Sequence, residues 1–238
     1  METNLSVNSI MLDPLLTGIW PNPTHGVMQG KLDRIIFDGN NLTSHGTITA
    51  DIFGGQVLIS NPGVLGLSTA APGFTLNVSI DDLKLAELTE GTAFGKIQGI
   101  LTGYITNLDI VNGQPQKFDL LLKTRRKKDV PQKINVRAIE NIAQLGGGQS
   151  PFMGLAGTFV SFFKEFSYQK IGVAASLEND VFKVNGTIKK NGVEYLVKKG
   201  GLTGVDVVNL NPDSRISFKD MVKRIKRIKG AREKPVIH

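Results

Sequence analysis

Cysteine is absent from this 238-residue chain, so disulfide bonds and thiolate-bound metals are excluded. Histidine occurs only at positions 25, 45 and 238, with no spacing typical of a metal site. The phenylalanines lie in apolar runs away from the basic clusters, whereas surfaces that bind single-stranded nucleic acid interleave the two. Composition therefore predicts no metal site and no cofactor, and it argues against nucleic acid as a partner.

The motifs that mark common enzymes are also missing. No GxSxG nucleophile elbow occurs, and the glycine-rich stretch 146–157 is not followed by the Lys-Ser/Thr of a phosphate-binding loop. We expect no enzymatic activity and assign no catalytic residue. The longest apolar run, PFMGLAGTFVSFF, is shorter than the roughly 20 residues that span a bilayer. The first residues, METNLSVNSIMLDP, lack the features of a signal peptide, and we expect the chain to be a piece of a longer protein.

What the chain does have is a repeated pattern of glycine and apolar residues. It reads GVMQGKLDRIIFDG from Gly26 and GILTGYITNLDIVNG from Gly99. Each copy reaches a turn and continues into a second alternating run, which indicates a β-hairpin. The repeat predicts a mainly β (α+β) fold: a long curved antiparallel sheet or groove built from repeated hairpin units. We also expect a few short helices and a C-terminal amphipathic helix.

The apolar positions change parity once within each copy. The change falls between Leu32 and Ile35, and again between Ile105 and Leu108. A strand keeps its apolar side chains on one face only while they are spaced by two residues. The pattern therefore predicts a bulge at residues 33–34 and a matching bulge at residues 106–107.

We expect one β-rich domain that includes nearly the whole chain. Its second half also contains four phenylalanines with helical spacing within residues 154–166, and we expect this helix to pack on the sheet. Further on, Asn191-Gly192 is a strong hairpin turn. The predicted boundaries are 1–230 for the domain, 26–90 and 99–148 for the repeat, 167–211 for a C-terminal meander and 231–238 for a flexible tail.

Basic residues form two clusters, in a chain whose formal net charge is +7. One is the KTRRKK loop from Lys123, and the other lies in a helix predicted to begin at Ser217, whose apolar stripe is flanked by lysine and arginine. A basic amphipathic helix is typical of a membrane surface or of partner binding, although a terminal helix packed on the sheet with its polar face in water explains it equally well. For the loop, a solvated hairpin end is the favoured interpretation. The candidates for an anionic surface are Arg125, Arg126, Lys127, Lys128, Lys223, Arg224 and Arg227.

Several stretches resemble the C-terminal region of AsmA-like envelope proteins of Gram-negative bacteria, the YdbH-like and TamB-like members above all. They are LTSHGTITADIFGGQV, GxxxGxITNLDIxNGQPQxFDLxLKT, INVRAIENIAQLGGG and FSYQKIGVAASLENDVFKVNGTI, from Leu42, Gly99, Ile134 and Phe166. The resemblance covers most of residues 26–211. It implies a periplasmic module of a membrane-anchored protein, with a β-sheet groove whose apolar face carries phospholipid and supports outer-membrane assembly.

Two hypotheses of function remain open. In the first, the chain handles phospholipid along an apolar groove, and its partners are phospholipid, an anionic membrane surface and other envelope proteins. In the second, it is a structural or protein–protein interaction scaffold whose apolar face is covered by its own helices. The lipid-facing candidates are Ile35, Phe37, Leu108, Ile110, Phe159, Phe162, Phe163 and Phe166.

Overall fold

The computed structural model describes residues 2–18, 20–148, 151–152, 164–202 and 204–222. The first half of the chain forms β1 (Glu2–Met11), α1 (Asp13–Leu16), β2 (Val27–Phe37), β3 (Leu42–Ile52), β4 (Gly55–Leu65), β5 (Gly73–Lys84), α2 (Leu85–Thr89), β6 (Ile97–Gln98), β7 (Ile100–Val111) and β8 (Gln114–Arg125). The second half forms β9 (Lys133–Asn135), α3 (Val136–Leu145), β10 (Glu165–Glu178), β11 (Val181–Gly186), β12 (Ile188–Lys190), β13 (Val193–Lys199), β14 (Val207–Val208) and β15 (Ile216–Ser217).

These strands form one long sheet that does not close on itself. Its main path runs in the order β1-β2-β3-β4-β5-β7-β8-β10-β11-β15, and the described pairs are antiparallel. Along this path most neighbours in space are also neighbours in sequence, as expected when hairpins follow one another. The prediction of a mainly β fold with a long antiparallel sheet and a few short helices is confirmed.

The sheet contains a structural repeat in which equivalent residues are 73 positions apart. The order β1-α1-β2-β3 corresponds to β5-α2-β7-β8, with β6 as an addition after α2. The amide N–H of Leu12 donates to the carbonyl of Gly26 at 2.8 Å, and that of Leu85 donates to the carbonyl of Gly99 at 2.9 Å. The equivalence therefore includes β1 and β5, which the sequence interpretation had not paired.

The two predicted bulges are present at equivalent positions. Pairing is irregular between Asp33 and Ile36 on β2, and between Thr106 and Asp109 on β7. In each bulge one residue has a positive φ, 50° at Arg34 and 54° at Asn107. The backbone N–H of each is held by an asparagine on the preceding strand, Asn4 Oδ1 at 3.1 Å and Asn77 Oδ1 at 2.9 Å. Both halves of the prediction are confirmed.

The repeated glycines Gly30 and Gly103 lie where a neighbouring strand approaches closely. A Cβ added at either position would overlap a carbonyl oxygen of the neighbouring strand, that of Thr47 or that of Leu121. The atoms in contact belong to the backbone, so a rotamer change cannot relieve the overlap. This explains why glycine recurs at this position of the repeat.

We expect Gly103→Ala to destabilise the protein by about 1–3 kcal/mol, because the added methyl group must displace a strand. Thermal unfolding followed by circular dichroism measures the loss. The matched control is Gly73→Ala, because a Cβ at Gly73 would have its nearest neighbour, Val111, at an ordinary 3.4 Å. Equal melting temperatures for the two variants would contradict the packing argument.

The three helices bounded above lie at one end of the sheet. Helices α1, α2 and α3 directly follow β1, β5 and β9. An odd number of strands separates any two of these three strands in the antiparallel sheet, so all three run in the same direction. The closed core is centred at this end and extends along β10 and β11 as far as Leu177 and Phe182, which are 1% and 5% exposed. Helix α3 is capped by Asn135, whose Oδ1 accepts from the N–H of Ala138 at 3.0 Å. Its buried side chains are Ala138, Ile139, Ile142 and Ala143.

The prediction of a helix over residues 154–166 is wrong at the residues of this range that the structure describes, 164–166, because β10 begins at Glu165. Phe166 lies in β10, where it pairs with Ile134 of β9, and it is 2% exposed. Its ring stacks on that of Phe152 with centroids 5.3 Å apart. Phe166 fits both the helical spacing of the preceding phenylalanines and the alternating pattern of the strand that follows. Its pairing with β9 and its contact with Phe152 are those of a strand residue. Phe159, Phe162 and Phe163 lie outside the described residues.

The C-terminal meander and helix agree with the sequence patterns where they are described. Asn191 and Gly192 have φ values of 52° and 76°, as a tight hairpin turn between β12 and β13 requires. Residues 218–222 are helical, and the N–H of Asp220 donates to Ser217 Oγ at 3.2 Å, the predicted N-cap contact. The candidates Lys223, Arg224 and Arg227, and the predicted tail, lie outside the described residues.

Candidate functional site: the apolar face of the sheet

Residues paired across neighbouring strands point to the same face, and their register defines three apolar rows on one face of the sheet. The upper row, nearest the helices, is Met28, Ala50, Val57, Ile80, Gly103, Leu122 and Val173. The middle row is Ile48, Ile59, Val78, Ile105, Leu120, Ala175 and Val184. The lower row is Phe37, Leu42, Val64, Phe74, Ile110 and Pro115. We call this surface the apolar face.

The two bulges keep the lower half of β2 and β7 on this face. Without the extra residue at Arg34, Phe37 would point to the other face, since a one-residue shift inverts every side chain beyond it. The structure instead pairs Phe37 with Leu42 and Leu108 with Leu76. Four of the predicted lipid-facing residues therefore share the lower half of the apolar face: Ile35, Phe37, Leu108 and Ile110.

The opposite face of the same strands is mainly polar, although one of its rows includes Leu58, Tyr104 and Leu121. Another of its rows runs Lys31, Thr47, Ser60 and Asn77 across β2 to β5. Thr43 and Thr47 of β3 are exposed on this side, whereas Leu42 and Ile48 of the same strand belong to the apolar rows. The two sides of the sheet thus differ, and the three continuous apolar rows all lie on one of them.

Coverage of the apolar face changes from one end to the other. In the upper row Ala50 is 6% exposed, and its neighbours Val57 and Ile80 pack against the closed core. In the lower row Phe37 is 44% exposed and Phe74 is 49% exposed. The helices therefore complete a core at one end, whereas the described part of the chain leaves these aromatic side chains half open at the other end.

The basic loop after β8 is partly neutralised. The Arg125 guanidinium donates two hydrogen bonds to the Asp82 carboxylate, and Lys127 Nζ lies 3.1 Å from Asp82 Oδ2. Arg126 and Lys128 are exposed and form no ion pair among the described residues. Of the four candidates in this loop, two are therefore held by one carboxylate on β5 and two remain available to an anionic partner.

Hydrogen bonds from Arg125 and Lys127 lower the pKa of Asp82 below its ordinary value of 3.8. A carboxyl group with a lower pKa in the folded state stabilises the fold above the unfolded pKa, and this stabilisation is lost as the pH falls through the folded value. The free energy of unfolding should therefore decrease on acidification below about pH 4 more steeply in the unmodified protein than in Asp82→Asn. Urea unfolding between pH 3 and 7 measures this difference.

Asn tolerates the positive φ of 57° at position 82, so the substitution tests the charge and not the backbone. The complementary variant is Arg125→Gln with Lys127→Gln, which removes the two cations that lower the pKa of Asp82, so its pH profile should approach that of Asp82→Asn. If the free energy of unfolding changed with pH equally in the Asp82→Asn and unmodified proteins, protonation of Asp82 would not be what destabilises the fold.

A second basic feature was not visible in the sequence. An open cavity of about 970 Å³ lies between the loop after β8, the first half of β10 and the end of β13. Four cationic residues line it, and no acidic residue does: Arg126, Lys170, Lys198 and Lys199. Lys198 is paired with Asp206 at 2.7 Å. The fold gathers the four from three separate segments, so no local spacing could have indicated the cavity.

Within the described ranges, no group of three or more His, Asp or Glu side chains is arranged to hold a metal ion. In the same part of the chain, no helix combines the length and the apolar character needed to cross a bilayer. Comparison with known proteins found no matching family model, no matching curated protein and no matching solved structure.

Proposed function

We propose that the chain is a non-enzymatic module of a bacterial cell envelope that handles phospholipid along its apolar face. The observation that supports this most directly is the half-open lower row, in which Phe37 and Phe74 are 44% and 49% exposed. Apolar side chains in continuous rows across six strands form a larger patch than isolated surface residues, and such patches mark interaction sites. The resemblance to AsmA-like proteins suggests phospholipid as the ligand.

The dimensions of the lower row suit an acyl chain. Neighbouring strands are about 4.8 Å apart, so a row across six strands is about 24 Å long. The hydrocarbon of one bilayer leaflet is about 15 Å thick, half of the whole core. Each methylene group removed from water contributes about 0.8 kcal/mol, so a chain lying along the row gains enough to be held without any polar contact.

Unpaired cations provide the second element of the proposal. Arg126 and Lys128 after β8, and Lys170 and Lys199 at the cavity, form no ion pair within the described residues. Each lysine or arginine near an anionic surface contributes about 1 kcal/mol. The proposed partners are therefore phospholipid and an anionic membrane surface, with other envelope proteins beside them.

The alternative is a structural or protein–protein interaction scaffold. Its specific support is the upper row, where Ala50 is 6% exposed and the chain's own helices complete a core. A scaffold of this kind binds no lipid after purification. It also binds vesicles no better when they contain anionic phospholipid.

The experiment that separates the two is lipid analysis of the purified chain. Mass spectrometry of an organic extract should find phospholipid, and the delipidated protein should bind a fluorescent phosphatidylglycerol analogue saturably. Binding to vesicles should require anionic lipid and weaken as salt shortens the Debye length below about 10 Å. If no lipid co-purified and the delipidated protein did not bind the added analogue, the proposed function would be contradicted and the scaffold hypothesis would be favoured.

A further inference from the structure

β1 is a ten-residue strand at the edge of the sheet. It spans Glu2–Met11 and pairs with β2 along its length, and its other side has no partner strand in the described part of the chain. A row of unpaired backbone N–H and C=O groups is a template for another strand unless the edge is short, charged or covered. Glu2 is the only charged residue of β1.

The internal repeat shows what covers the same edge elsewhere in this molecule. β1 is equivalent to β5, and their sequences correspond as Asn4-Leu5-Ser6-Val7 and Asn77-Val78-Ser79-Ile80. Pairing with the next strand is irregular at equivalent places, between Val7 and Ile10 in one case and between Ile80 and Leu83 in the other. In β5 the edge that corresponds to the free edge of β1 is occupied by β4.

The exposure of apolar side chains differs between the two strands in the direction that a missing neighbour predicts. Leu5 is 48% exposed and Ile10 is 41% exposed on β1. Their equivalents on β5 are half-buried Val78 and Leu83, which is 4% exposed. β1 thus carries the apolar pattern of an internal strand while lying at an edge.

We propose that the free edge of β1 accepts an antiparallel strand with the pattern of β4, and that the protein binds such a strand when it is offered as a separate peptide. β4, with the sequence GQVLISNPGVL, is uncharged and alternates between apolar and polar positions in its first half. Its pairing with β5 sets the register: Leu58 lies opposite Ser79, and Ile59 lies opposite Val78. On β1 the equivalent residues of the incoming strand therefore lie opposite Ser6 and Leu5. The proposal does not depend on lipid handling.

The absence of cysteine allows a direct test by disulfide cross-linking. The protein carries Ser6→Cys, an exposed position on the polar side, and is mixed with a synthetic peptide of residues 54–66 that carries Leu58→Cys. Directly opposed residues have Cβ atoms about 4.5–5.5 Å apart, close to what a disulfide spans, and adjacent residues point to opposite faces. The control peptide carries Ile59→Cys in place of Leu58→Cys.

Under a glutathione redox buffer, the Leu58→Cys peptide should cross-link at least tenfold more than the control peptide. Equal yields, or no product with either peptide, would overturn the proposed pairing. A product that is mainly the disulfide dimer of two Ser6→Cys chains would also overturn it, because β1 would then prefer a second copy of itself.

A second measurement uses the unmodified protein, so that the result does not depend on the folding of the Ser6→Cys variant. A labelled peptide of residues 54–66 should bind the unmodified chain, as read by fluorescence anisotropy. Methylating alternate backbone nitrogens of the peptide on its pairing edge removes several hydrogen bonds and should weaken binding more than tenfold. Unchanged affinity after methylation would mean that the peptide does not join the sheet.

Discussion

Replacing Phe37 and Phe74 together with glutamate should abolish phospholipid binding while leaving the protein folded. Both side chains lie in the lower row and are about half exposed, so their loss removes little of the closed core. Two carboxylates in the row would have to be desolvated by an acyl chain, at several kcal/mol each, which exceeds the gain from burying a few methylene groups. Titration with the fluorescent phosphatidylglycerol analogue measures the loss.

The matched control places the same two charges on the other side of the same sheet. Thr43→Glu with Thr47→Glu adds two carboxylates to exposed positions of β3 that face away from the apolar rows. Because both variants carry the same net charge, electrostatic repulsion from anionic lipid is equal in the two. Equal loss of binding in the control would show that net charge, and not the apolar face, decides the result.

Replacing Phe166 with alanine should have the largest effect on stability. The side chain is 2% exposed, stacks on Phe152 and lies in the strand that pairs with β9. Removal of a fully buried phenylalanine side chain costs about 3–5 kcal/mol, a large part of the 5–15 kcal/mol that stabilises a typical domain. The melting temperature should fall by roughly 6–20 °C in differential scanning calorimetry.

Phe94→Ala is the control for this prediction, since Phe94 is 36% exposed and leaves no closed cavity when truncated. Its melting temperature should change by only a few degrees. Similar shifts for the two variants would mean that the ring of Phe166 contributes to stability no more than a surface phenylalanine does.

Local rules predicted the sheet and its bulges because both follow from neighbouring residues. The parity change between Leu32 and Ile35 required an extra residue, and the structure places it there. The same rules missed the equivalence of β1 and β5, because the shared Asn-aliphatic-Ser-aliphatic pattern is too short to stand out. They were wrong for Phe166, since spacing alone does not distinguish a helix face from the start of an alternating strand.

The charged features depended on contacts that no local pattern encodes. Asp82 and Arg125 are 43 positions apart and meet only because β5, β7 and β8 are neighbours in the sheet. The cavity cations come from the loop after β8, from β10 and from β13. The run of basic residues after β8 therefore did not show which of them are paired with a carboxylate. The order of the strands does, because it brings Asp82 next to Arg125 and Lys127.

The 73-residue period has a consequence for how such a protein can change in length. One period contributes four strands to the main path of the sheet, and four is an even number. A duplicated segment 54–126 would therefore enter between β8 and β10 with every strand direction preserved. Each bulge would recur with its period, so the rows of apolar side chains would continue on the same side. A single in-frame duplication would thus widen the protein by about 19 Å and leave its two faces distinct.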